Sequence, residues 1–119
     1  MTKAARSVLL FGYYLVVTGV VLYTVPNILL NLLRLPPTTE PWIRVIGIPV
    51  GAMGVLHVAA ARANIVAFFR VSIWTRIIPV IGFSLLALLR LAPPSLVLFG
   101  LVDGATALWT RAALREGAA

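Results

Sequence analysis

Three side chains in this sequence combine a reactive group with an apolar setting: Asp103, Arg44 and His57. Asp103 lies inside the run 95–110, far from either end, and shares a helical face with Gly100, Gly104 and Ala107. An acid at that depth is expensive to place in lipid and is by default a proton-relay or substrate-partner candidate. The competing reading is interhelical glue, a polar contact worth about 1 kcal/mol. Glue is preferred, because no second acid or histidine stands at the same level to complete a relay. Arg44 is the expected partner: it lies on the stripe of Gly47 and Gly51 and can reach inward from the outer surface. Tyr23, Thr24 and Ser84 fall at similar depth and offer hydroxyl donors.

His57 reads as a packed core histidine rather than a haem ligand, since the chain has one histidine. A lone histidine also falls short of the ligand sets that zinc or non-haem iron need. With no cysteine, disulfides, thiolate metal sites and cysteine nucleophiles are excluded. There is no glycine-rich phosphate loop, no Ser/His/Asp set and no carboxylate pair at catalytic spacing. No metal, no cofactor and no autonomous enzyme activity are expected.

The elements that must position these residues follow from composition. The chain is 61% hydrophobic and 11% charged over 119 residues, whereas a soluble domain carries about 25% charged residues. A soluble globule this small has too much surface to hide such an apolar content, so the class is an integral membrane protein. Apolar stretches predict spans at about 8–33, 43–61, 73–91 and 95–112, forming one transmembrane domain over 1–119. The first run, uncharged from Ser7 to Leu33, exceeds the 20 or so residues that cross a hydrocarbon core of roughly 30 Å. It is too long for a signal-peptide apolar region and reads as a retained helix. Pro26 predicts a kink or an early end near Asn27. The third span is the shortest, with about 20 Å of uncharged helix between Ile77 and Leu89. It is therefore extended over Arg76 and Arg90, whose stems are expected to snorkel to the two surfaces. Trp42 fits an interfacial anchor.

Gly47, Gly51 and Gly54 in the second span, and Gly100 and Gly104 in the fourth, form small-xxx-small stripes. In lipid such stripes let helix backbones approach closely, so they predict helix packing within the chain, with self-association as the alternative. Between spans two and three, Arg62, Arg70 and Arg76 alternate with Phe68, Phe69 and Trp74. This segment predicts a basic loop with aromatic residues at headgroup level. Its sharper reading is a docking site for anionic lipid head groups.

The formal charge of +7 is spread between apolar runs rather than gathered on one polar face, which argues against nucleic acid. Read as a topology signal, seven of the ten Lys and Arg fall on the inner side if the N-terminus is cytoplasmic, and three fall outside. The positive-inside bias then sets both termini in the cytoplasm and the chain in the inner or plasma membrane. The endings Leu29–Pro37 and Leu85–Pro94 resemble one another, with Arg34 and Arg90 56 residues apart. This pattern allows a parallel duplication of a helical hairpin. The fold expected is all-α, an integral membrane four-helix bundle.

Arg44-Val-Ile-Gly47, the glycines at 51 and 54, Arg76, and Val102-Asp103-Gly104 together resemble small four-helix bacterial membrane proteins of the DoxX-like type. The resemblance implies the fold and an accessory membrane role, and carries over no catalytic residue. Small multidrug transporters share the length, but their pattern places an acid in the first span, and this first span has none. The function expected is a non-enzymatic accessory or assembly subunit of a larger membrane complex. The alternatives are a proton- or cation-coupled transporter using Asp103, and a lipid or quinone binder. Expected partners are membrane lipids, anionic ones included, and other membrane subunits.

Overall fold

A computed structural model describes residues 1–117 of the chain, so the last two positions of the expected domain lie outside the described residues. The regular elements are α1 (Lys3–Thr24), α2 (Pro26–Leu32), α3 (Trp42–Arg62), α4 (Val66–Leu88), a 3-10 turn (Pro94–Leu96) and α5 (Val97–Gly117). Four stretches, Lys3–Thr24, Trp42–Arg62, Val66–Leu88 and Pro94–Gly117, are long and apolar enough to cross a membrane. The contacts fall into two compact units, Leu9–Ala59 and the remainder, and each has its own packing logic.

In the Leu9–Ala59 unit, α1 stops where Pro26 enters. Proline has no N–H to give the preceding turn and its ring clashes with the carbonyl four residues back. The chain turns at Val25 (φ −135°, ψ 60°), and Pro26 becomes the first residue of α2, the position where its missing donor matters least. The interruption leaves carbonyls at the end of α1 needing donors. Arg44 supplies them: its Nη1 donates to the Tyr23 carbonyl at 2.7 Å and to the Thr24 carbonyl at 2.8 Å. A cation at a helix C-terminus also complements the helix dipole.

The same unit packs α1 on α3 through backbone. A Cβ placed on Gly19 would lie 2.5 Å from the Gly51 nitrogen and 2.8 Å from the Gly47 carbonyl oxygen. One on Gly54 would lie 2.6 Å from the Val16 nitrogen and 2.7 Å from the Gly12 carbonyl oxygen. Gly12, Val16, Gly19 and Tyr23 therefore form the face of α1 that receives Gly47 and Gly54. Gly51 is different: its own Cβ would meet nothing nearer than the Gly19 Cα at 4.0 Å.

In the other unit, α4 and α5 pack as neighbours. A Cβ on Gly100 would lie 3.1 Å from the Val80 Cα, and one on Gly104 would lie 3.2 Å from a Val80 methyl. Both glycines face Val80, and Gly100 meets backbone whereas Gly104 meets a side chain that can yield. The segment around Arg70, expected as a headgroup-level loop, is helical from Val66 onward. Phe69, Ser72 and Arg76 recur on one face of α4, and all three are buried.

Three helices end alike. Arg34, Asn64 and Arg90 adopt left-handed φ values of 57°, 53° and 58°. In each case the next residue's N–H reaches back five residues, from Leu35 to Leu30, Ile65 to Ala60 and Leu91 to Leu86. This is the Schellman arrangement, which satisfies carbonyls the helix end would orphan. The likeness of the Arg34 and Arg90 endings is thus structural, yet the Asn64 ending shares it. The glycine stripes also stand 53 residues apart where the arginines stand 56 apart. The helix ends alone therefore do not carry a duplication.

Candidate functional site

The densest polar cluster lies where α4 and α5 meet the first turns of α1. Arg76, ten residues into α4, is 2% exposed, and Ser7, Ser72 and Thr110 are equally buried. Arg76 donates from Nη2 to the Ser72 hydroxyl at 2.9 Å and to the Thr110 hydroxyl at 3.0 Å, and from Nε to the Ser72 carbonyl at 3.2 Å. Thr110 Oγ1 and Ser7 Oγ lie 2.7 Å apart, and Ser7 Oγ donates to the Ala4 carbonyl at 2.7 Å. Each hydroxyl also reaches a carbonyl of its own helix, Ser7 that of Ala4 and Thr110 that of Thr106 at 3.1 Å, so either can be the donor between them.

The sequence makes this cluster locally. Ser72 and Arg76 are one helical turn apart, as are Thr106 and Thr110, so each pair shares a face. Thr106 Oγ1 donates to its own helix at the carbonyls of Val102 and Asp103, at 2.9 and 3.0 Å. Serine and threonine can bond back to the preceding turn in this way, which lets them enter an apolar helix without an orphaned hydroxyl. The guanidinium, planar and always charged, suits such a cage because its donors point in fixed directions.

Asp103 is half-buried on α5, within electrostatic reach of Arg76. The expectation pairs Asp103 with Arg44; in the structure Arg44 donates to the end of α1, and Arg76 donates to Ser72 and Thr110. The physical reason is a competing demand: Pro26 creates carbonyls that need a cation, and periodicity cannot show that. Arg76 also departs from its expected role. Placed by sequence among the lipid head-group residues with Arg62 and Arg70, it is sequestered from the surface by Ser72 and Thr110. Arg62 and Arg70 are exposed.

His57 is buried in the Leu9–Ala59 unit. Its Nδ1 lies 2.7 Å from the Met53 carbonyl oxygen, and its ring meets Phe11 edge-on with centroids 5.2 Å apart. A carbonyl accepts only, so Nδ1 carries the proton in this contact. Among the described residues no group of three or more His, Cys, Asp or Glu converges to hold a metal. Gly12, Gly19, Ser7, Ser72 and Thr110 were not among the residues singled out from sequence. A signal existed for the glycines, which stand seven apart on one face of α1. Ser7 had none, because a lone serine at the start of an apolar run looks like any other.

At the ends of the spans, Lys3 Nζ and Glu116 Oε2 form an exposed ion pair at 3.2 Å. It brings the start of α1 and the end of α5 to one level. No protein-family model, curated protein or solved structure matches the chain.

Proposed function

We propose that this chain is a multi-pass protein of the inner or plasma membrane, with both termini cytoplasmic, that serves as a non-enzymatic accessory or assembly subunit of a larger membrane complex. The DoxX-like resemblance is in keeping with that role. The Lys3–Glu116 pair supports termini on a common side, and the charge bias supports the cytoplasmic one.

The observation that carries the subunit reading is the outward face of α4. Gly82 has open space where a Cβ would stand. One turn before it Ile78 is 65% exposed, and beside it Ile81 and Leu85 are more than half exposed. Glycine in a helix interior weakens the helix by roughly 0.5–1 kcal/mol relative to alanine. Among the described residues nothing uses the close approach that glycine permits, so a helix of another protein is the natural recipient. The hydroxyls of Ser72 and Thr110, by contrast, are engaged with Arg76, which favours a structural part for that cation over a transport pathway.

The test is mass analysis of what co-purifies in mild detergent. A fixed-stoichiometry membrane partner is expected, and Gly82→Leu should lower its yield while leaving the thermal stability of the isolated chain the same or slightly raised. A pH-dependent ion flux from the purified protein alone, lost in Asp103→Asn, would move the assignment to a transporter.

A further inference from the structure

At the level where α1 and α4 begin and α5 ends, a cleft of about 450 Å³ opens. Its polar wall is built by Lys3, Asn64, Arg70 and Glu116, and its apolar side by Val66, Phe69, Ala113 and Leu114. Three features bear on what can enter. The cleft joins a cationic rim to an apolar wall. It sits at helix ends, which in a membrane is the depth of the phosphates. Its cations are unequal: Lys3 is held by Glu116 at 3.2 Å, whereas Arg70 is an exposed guanidinium with a fork suited to phosphate oxygens. The first turn of α4 adds positive character, since Ile65 precedes it with no side-chain cap.

We propose that this cleft binds one anionic phospholipid, with the phosphodiester on Arg70 and the acyl chain along Val66 and Leu114. Glu116 tempers the site by holding Lys3. A zwitterionic lipid gains less, because its headgroup cation meets Arg70 and Lys3 as a like charge. The proposal concerns the cytoplasmic end of the protein and is independent of any partner at Gly82.

Native mass spectrometry of the purified full-length protein, with phosphatidylglycerol or phosphatidylcholine of identical acyl chains added, tests it. The wild type should retain one phosphatidylglycerol in preference to phosphatidylcholine. Arg70→Gln should reduce that retention by roughly fivefold, the effect of one cation near a membrane surface. Glu116→Gln should raise it by releasing Lys3, which keeps the proposal testable if Arg70→Gln is poorly folded. Arg90→Gln, at the opposite end of α4, should leave retention unchanged. Equal retention of the two lipids would overturn the site, as would Arg70→Gln and Arg90→Gln behaving alike. Displacement of the lipid by inorganic phosphate at equal concentration would show that only the phosphate is read, and would overturn the lipid assignment.

Discussion

Replacing Gly19 and Gly51 with alanine, one at a time, separates close backbone packing from mere glycine content. The two residues face each other across α1 and α3, yet the space each offers differs. At Gly19 the new methyl would stand 2.5 Å from the Gly51 nitrogen and 2.7 Å from its Cα, where ordinary contact begins at 3.4 Å. Both obstacles are backbone of a rigid helix and cannot rotate aside. The helices must therefore separate by the better part of an ångström, which also loosens Gly12 against Gly54. Overpacking of this kind costs about 1–3 kcal/mol. Alanine returns about 0.5–1 kcal/mol of helix propensity. The net expectation for Gly19→Ala is a loss of about 1–2 kcal/mol. At Gly51 the methyl would lie 4.0 Å from its nearest neighbour, so only the propensity gain remains. Gly51→Ala should be neutral or more stable by up to about 1 kcal/mol. Thermal unfolding in mild detergent, followed by loss of helical circular dichroism, reads the order directly. A Gly19→Ala protein that melts at or above the wild type would refute the reasoning, as would Gly51→Ala melting below Gly19→Ala.

Thr110→Val removes the hydroxyl shared by Arg76 and Ser7 and should destabilise by about 1–3 kcal/mol, the range for leaving buried partners unsatisfied; Thr106→Val, whose hydroxyl bonds only its own helix, should cost less in the same melting experiment. A double-mutant cycle of Arg76→Gln with Asp103→Asn should show coupling above about 0.5 kcal/mol, the signature of charges that share an environment; additive losses would show that the two act separately. Lys3→Ala should change stability far less than Arg76→Gln, because exposed ion pairs are screened by water and contribute little. For topology, single cysteines introduced as Thr2→Cys and Arg115→Cys should resist a membrane-impermeant thiol reagent in intact cells while Thr38→Cys reacts, and the reverse pattern would invert the orientation.

Much of the local structure was legible in the residue order. The break at Val25 is in keeping with Pro26, which removes one helical donor, although Pro49 and Pro79 lie inside the continuous helices α3 and α4. The long apolar runs predict helices because lipid leaves no water to satisfy a backbone that is not internally bonded. The boundary of α4 was not legible: three arginines between Arg62 and Arg76 read as a polar loop by hydropathy, and the helix nonetheless starts at Val66. Hydropathy averages over neighbours and is blind to a charge that disappears into a cage of hydroxyls. The stripe at Gly47 and Gly54 was visible as a face, but its counterpart at Gly12 and Gly19 was not connected to it.

That difference marks the division between sequence and tertiary structure here. The order of residue types determined which segments are apolar enough to span and which side chains share a face, because both depend on composition and helical period alone. Which face meets which was decided only in three dimensions. Arg44 and Arg76 are the same residue type at the edges of apolar runs, and nothing local distinguishes them. Arg44, exposed, went to the carbonyls at the end of α1, and Arg76, buried, went to Ser72 and Thr110, because a cation settles where acceptors converge, and that convergence exists only once the helices have packed.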